Sequence, residues 1–234
     1  MIALNVDKLR LDMGDYILSV QAMRKRVAGR EVLGPIDLDV KRGAFTALVG
    51  PAGAGKSLTL ACIAGASRPS RGRVRYFGYE LRGRGLERIA RMGIVRTHQS
   101  PQAFGDLSVL ETVTVGALLR KPRLERARAH ARELLTLTGL DERAGRRFGA
   151  LDALDRRRLE LARALATEPQ LLLLDDLGAG LEAPGLAALG GILTAVRERG
   201  LTIVAAARTL DRIPALADEV VEIVRGSTAP NAAA

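Results

Sequence analysis

Several residue types that build common sites are scarce in this chain. Cys62 is the only cysteine among 234 residues, which excludes an internal disulfide and suits a reducing, cytosolic compartment. Tryptophan is absent and aromatics make up 3% of the chain, so the stacking platforms used by single-strand nucleic-acid binders are missing. His98 and His130 are the only histidines. A lone His98 reads as a packing or hydrogen-bonding residue rather than a metal ligand, and His130 lies in a charged, solvated stretch. No apolar run approaches the roughly 18 residues of a membrane helix. The longest runs, Leu171–Leu174 and residues 201–207, have the length of core strands. The start of the chain carries Asp7, Lys8 and Arg10 with no apolar stretch behind them, and it does not read as a secretory signal. No internal repeat is visible.

What is present suits a globular α/β domain. Hydrophobic residues are 47% and charged residues 26%, enough for one sizeable core with room for a subdomain. The formal net charge is +10, from 36 basic and 26 acidic residues. Arginine dominates residues 68–75, 82–91, 120–132 and 143–158. Such a balance can mark a nucleic-acid or acidic-membrane surface. The basic residues are spread along the chain, however, and few aromatics lie between them. That pattern favours solvated helix faces and argues against a nucleic-acid partner.

One segment carries specific chemistry. Gly50-Pro51-Ala52-Gly53-Ala54-Gly55-Lys56-Ser57 matches the phosphate-loop pattern G-x-x-x-x-G-K-[ST]. The apolar run Phe45–Val49 before it reads as a buried strand, and Leu58 begins a helix after it. Glycines let backbone N–H groups turn toward a phosphate chain, and the helix N-terminus adds partial positive charge there. Lys56 supplies a point charge for the outer phosphates, and Ser57 a hydroxyl for Mg²⁺. Gly50 through Ser57, with Leu58, are therefore the candidate contacts for a nucleoside triphosphate.

The remaining pattern places this loop in an alternating α/β order. Residues 1–17 read as a poorly patterned extension and 227–234 as a flexible tail. Ile36 to Val40 alternates as a strand, Arg73 to Gly78 suggests an edge strand, and Gly93 to Arg96 a short core strand leading to Gln99. Residues 100–158 read as a helical insertion, followed by a helix over 158–167 that ends at Glu168-Pro169. Leu171–Leu174 then delivers Asp175 and Asp176 at the C-terminal end of a buried parallel strand, where ligands sit in open α/β sheets. Further strands are expected at 202–206 and 220–224.

A phosphate loop, a glutamine after a short strand, a helical insertion and an apolar strand ending in acid, in that order, resemble the ATP-binding subunit of ABC transporters. The likeness covers residues 18 to 226. Gly93-Ile94-Val95-Arg96-Thr97-His98-Gln99 is similar to the G-I-x-R-T-F-Q segment of branched-chain amino acid importers, and 107–113 and 157–166 continue that likeness. The resemblance implies a P-loop NTPase core with a mostly parallel sheet over residues 18–226 and a helical subdomain inserted at about 100–158. It implies ATP and Mg²⁺ as cofactors. Asp175 would support the metal with Ser57, and Gln99 would touch the metal and the attacking water. Asp176 stands where the family has a water-orienting glutamate. Partners would be membrane permease subunits and a second ATP-binding subunit, in a homodimer or heterodimer. The chain would be peripheral on the cytoplasmic face of the membrane.

The chain also departs from the family pattern. The signature L-S-G-G-Q maps onto Leu151-Asp152-Ala153-Leu154-Asp155, so two carboxylates approach the place where the family holds a partner's phosphate. Like unit charges about 4 Å apart repel by about 4 kcal/mol at an effective dielectric of about 20, and Arg156, Arg157 and Arg158 could offset some of this. No histidine follows the acidic strand, and Arg208 stands at the switch position, where it can hold a phosphate but cannot relay a proton near neutral pH. Asp176 is one methylene short of glutamate. Val27 takes the place of the adenine-stacking aromatic, with Tyr16 a candidate substitute. Leu177 replaces the following proline, and Glu182 an interface aspartate. Three readings follow. The first is an importer subunit for branched-chain amino acids or similar solutes that binds ATP but hydrolyses it weakly, Arg208 and Arg156 offering possible compensation. The second is a non-catalytic, ATP-binding regulatory or scaffold subunit of such a complex. The third is an ABC-type protein free of the membrane that acts on nucleic acid or the ribosome, suggested only by the +10 charge.

Overall fold

In the computed structural model, which describes residues 14–97, 105–209 and 216–228, the alternating pattern resolves into two sheets and a helical layer. Gln99, His98, the extension through residue 13 and the tail beyond residue 228 lie outside the described residues. The central sheet has six strands, in the order β10 (Ser227–Thr228), β9 (Glu219–Val224), β3 (Phe45–Val49), β8 (Thr202–Ala207), β7 (Leu171–Leu174) and β6 (Ile94–Arg96). Its strands run parallel except for the β9–β10 hairpin. A second sheet, of order β2-β1-β4-β5, is wholly antiparallel: β1 (Tyr16–Val27), β2 (Arg30–Lys41), β4 (Arg71–Tyr76) and β5 (Tyr79–Glu80).

The uniformly apolar central strands follow from burial on both faces. Along β7, Leu171 and Leu173 face one core while Leu172 and Leu174 face the other. The first core joins the antiparallel sheet, α1 (Lys56–Ile63) and α2 (Leu86–Arg91) to the central sheet. The second holds α3 (Val109–Ala117), α4 (Leu124–Thr138), α5 (Ala153–Leu165) and α6 (Ala183–Glu198). The helix α3 begins with a capping box. The Ser108 hydroxyl accepts the Glu111 amide while the Glu111 carboxylate accepts the Ser108 amide at 2.8 Å. Gly139, with φ +69°, ends α4 in the left-handed conformation that glycine tolerates.

Five expectations change. Tyr16 and Ile17, placed in the extension, open β1, where Ile17 is buried. Ser227 and Thr228, placed in the tail, pair with β9 as β10, and the Ser227 hydroxyl donates to the Gly34 carbonyl. The expected edge strand, β4, lies between β1 and β5. The antiparallel sheet stands beside the mostly parallel one because β1 and β2 carry paired apolar faces that need a layer of their own. The helix expected from residue 158 begins at Ala153, because the Asp152 side chain caps it by accepting the Asp155 amide at 2.8 Å.

Candidate functional site

The parallel register brings four loops to the C-terminal ends of adjacent strands. They follow β3 (the phosphate loop), β7 (Asp175 and Asp176), β6 (Thr97) and β8 (Arg208). Open α/β sheets bind ligands at this edge.

The phosphate loop depends on glycine at two close approaches. A Cβ on Gly50 (φ +153°) would lie 2.2 Å from the Ile223 carbonyl oxygen, and one on Gly55 (φ +104°) 2.5 Å from Leu33 Cδ1. Gly53, by contrast, faces open space at φ +77°. Pro51 and Ala52 are exposed in the turn, and the Ala54 amide donates to the Pro51 carbonyl at 3.2 Å. Lys56 Nζ arches back over the loop and donates to the carbonyls of Gly50 (2.6 Å) and Pro51 (2.9 Å). The N-cap of α1 is Gly55, which has no side chain to satisfy the first-turn amides, and that turn holds no acidic residue. An uncapped helix start behind a glycine loop, with a lysine across it, suits a polyphosphate. Leu58, half-buried, packs against the core beneath α1.

Ser57 Oγ donates to Asp175 Oδ1 at 2.8 Å, joining the phosphate loop to the acidic strand. Hydroxyl plus carboxylate is a hard-oxygen donor pair of the kind that holds Mg²⁺ together with substrate phosphates, so the residues present fit that ion. The second Asp175 oxygen, Oδ2, accepts from Arg96 Nη2 at 2.5 Å, and the Asp175 amide donates to Thr97 Oγ1 at 3.2 Å. The Asp175 side chain is 1% exposed. Arg96 and Thr97 are functional neighbours not singled out from sequence; the arginine that ends the strand before Gln99 was the available signal.

Lys56, Asp175, Asp176 and Arg208 form one electrostatic cluster. Burial pushes the Lys56 ammonium below its ordinary pKa. Asp176 pulls it back up, Arg208 adds to the depression, and Asp175 raises it. Asp176 adopts left-handed backbone at φ +54°. Gln99 lies outside the described residues.

The segment resembling the signature is built differently from an anion site. Asp155 is 5% exposed and receives Arg143 Nε at 3.1 Å and Arg158 Nη1 at 3.2 Å. Its charge is neutralised within the chain, by Arg158, one of the arginines expected to offset it, and by Arg143, which was not expected. Asp152 itself caps α5. Arg156, expected as a compensating charge, lies 5.0 Å over the Phe148 ring and donates to the Gly149 carbonyl at 3.5 Å. Val27 is exposed at the end of β1 near the phosphate loop, whereas Tyr16 sits at the other end. About 30 Å of strand rise separates Tyr16 from Lys25, the partner of Leu33 beside Gly55, so Tyr16 does not reach the loop.

The ABC transporter family model matches residues 33–178. The high-affinity branched-chain amino acid transport ATP-binding protein LivG of Salmonella typhimurium is 28% identical over 235 residues, covering 94% of this chain and 92% of that one. BraF of Pseudomonas aeruginosa, which bears the same description, is 29% identical over 231 residues, covering 92% and 91%. Among solved structures, cbiO1 from Clostridium perfringens, part of the ABC transporter complex cbiONQ, superposes with a TM-score of 0.83 at 28% identity, covering 92% of this chain and 88% of that one.

Proposed function

Because this chain belongs to the ABC transporter family as an ATP-binding subunit, we propose that it serves an importer of branched-chain amino acids or similar small solutes, binding ATP with Mg²⁺ but hydrolysing it weakly. The solute class rests on the likeness to LivG and BraF. The observation that carries nucleotide binding is the 2.8 Å bond from Ser57 to Asp175, 118 residues apart in sequence, beneath a glycine loop spanned by Lys56.

In this reading the amides of residues 50–57 and the start of α1 receive the phosphates, Lys56 turns from the loop carbonyls to the outer phosphates, and Ser57 and Asp175 hold the metal. Mg²⁺ would supply charge neutralisation at the β- and γ-phosphates. Asp176 and Arg208 would face the attacking side, where the family resemblance also expects Gln99, which lies outside the described residues. Weak hydrolysis follows from three features. Asp176 holds a shortened carboxylate on left-handed backbone, and a misplacement of about 1 Å can cost on the order of 10²-fold. Arg208 stands at the switch position, where a guanidinium can hold a phosphate but does not serve as a general base. The amide exposed at the start of α5 is taken by Asp152 instead of a partner's phosphate. The partners proposed are membrane permease subunits and a second ATP-binding subunit, which would hold the chain peripherally at the cytoplasmic face. Among the described residues, no helix is long and apolar enough to cross a membrane.

A second reading, a non-catalytic ATP-responsive subunit of such a complex, gains from the self-capped α5. Calorimetry with Mg²⁺ and ATP, using Lys56→Ala as control, tests the site, and phosphate release from the same sample separates the two readings. Heat of binding lost in Lys56→Ala is expected. No uptake of millimolar ATP by the unmodified chain would contradict both.

A further inference from the structure

We propose that Arg96 is a cationic placeholder at Asp175: it neutralises this carboxylate when no divalent ion is bound and gives up the Oδ2 oxygen when one is. This inference rests on the reading of Ser57 and Asp175 as the metal-holding pair.

The two oxygens of Asp175 have different partners. Oδ1 accepts from Ser57, on the phosphate loop, at 2.8 Å, and Oδ2 accepts from Arg96 Nη2, at the end of β6, at 2.5 Å. The Asp175 side chain is 1% exposed, so its charge needs a counter-charge in every state of the protein. Arg96 provides one from a side chain that is 20% exposed. A guanidinium built for a permanent carboxylate pair uses its planar fork through two nitrogens. Arg96 uses one, and its buried Nε has no hydrogen-bond partner. The pair is therefore made at one point and incompletely satisfied, as suits a contact that forms in one state and opens in another.

The surrounding charge points the same way. Lys56, Arg96 and Arg208 already set three positive charges against Asp175 and Asp176. Adding a divalent ion to the Asp175 carboxylate while Arg96 remains on it would place like charges on one acceptor in a poorly solvated site. Arg96 withdraws from Oδ2, and its exposed fraction gives it room to do so. Arg96 pairs in register with Leu173 on β7 and is followed by Thr97, whose hydroxyl accepts the Asp175 amide. Metal occupancy at Asp175 would thus be felt directly at the end of β6.

The test compares Mn²⁺ affinity by electron paramagnetic resonance, in the presence of ADP, between the unmodified protein and Arg96→Met, with thermal unfolding in chelator alongside. Arg96→Met is expected to bind Mn²⁺ more tightly by on the order of 10-fold, because a competing positive charge is removed from Asp175. It should also melt lower than the unmodified protein in chelator and gain more from Mn²⁺ and ADP. Arg96→Gln carries the same expectation should Arg96→Met be too unstable to purify. Arg96→Lys, which keeps the charge, should bind Mn²⁺ as the unmodified protein does. Equal or weaker Mn²⁺ binding in the neutral variants, with ADP binding intact, overturns the placeholder role alone. ADP-dependent Mn²⁺ binding that survives Asp175→Asn overturns the metal-site reading and the placeholder with it.

Discussion

The Leu177 amide donates to the Ala206 carbonyl at 2.9 Å, tying the turn after Asp175 to strand β8. A proline in this position could not make the bond, because it has no N–H. It would also drive residue 176 toward extended backbone, whereas Asp176 is left-handed at φ +54°. Leucine at 177 and the conformation at 176 are therefore one feature. Leu177→Pro should lower stability by about 1–3 kcal/mol, read as a fall in the urea midpoint. Asp176→Glu alone should raise phosphate release by less than about 10-fold, because lengthening the side chain does not re-aim the backbone that carries it.

Two glycines of the phosphate loop should respond differently to the same substitution. In Gly50→Ala the new Cβ meets the Ile223 carbonyl oxygen at 2.2 Å, and backbone of the neighbouring strand must shift. In Gly53→Ala the Cβ meets open space and only the left-handed backbone resists. Gly50→Ala should cost about 3 kcal/mol or more and abolish ATP binding. Gly53→Ala should cost about 1–2 kcal/mol. Thermal unfolding and calorimetry on the two variants check the contrast.

Much of this arrangement was legible in the chain because each part has a local cause. Gly50 to Ser57 announces itself by spacing, Phe45–Val49 and Leu171–Leu174 by unbroken apolar runs, and α3 by its place in the helical insertion expected at about 100–158. The misses have causes too. The helix α6 was not anticipated because Pro184 and the Gly190-Gly191 pair resemble breakers. Pro184 falls in the first turn, where its missing N–H costs little, and Leu189, Ile192, Leu193 and Val196 carry the buried face. The antiparallel sheet was missed because β1 pairs through several register shifts that blur its alternation. At the site, Arg96 was hidden because its role depends on contact with Asp175 across 79 residues. The pairing of Asp155 with Arg158, three residues on along α5, was among the offsets expected, whereas that with Arg143, 12 residues back and outside the helix, was not.

That pairing predicts a split between neighbours. Asp155→Ala leaves two partly exposed arginines without their shared buried carboxylate, and should cost about 1–3 kcal/mol after allowance for solvent screening. Asp152→Ser keeps a good N-cap and should change stability by less than about 0.5 kcal/mol. Denaturant midpoints of the two variants measure the difference.

The capping box of α3 should give an acid-sensitive contribution. Hydrogen bonds from the Ser108 amide and then its hydroxyl hold the Glu111 carboxyl below its ordinary pKa. A carboxylate whose pKa is depressed by folding stabilises the fold fully above its unfolded pKa of about 4.3, and loses that contribution as pH falls through the folded value. Ser108→Ala should lower the unfolding midpoint at neutral pH. The difference from the unmodified protein should shrink below pH of about 4, seen in unfolding midpoints across an acid series.

The most direct test is steady-state phosphate release at saturating Mg²⁺ and ATP, from the chain alone and after reconstitution with permease and second ATP-binding subunit. Ordinary enzymes turn over at about 10 per second. With a shortened acid on left-handed backbone, an arginine at the switch position and a self-capped α5, sites that use this chain's phosphate loop should run at least about 100-fold slower while ATP still binds. Turnover near the ordinary value would contradict the account.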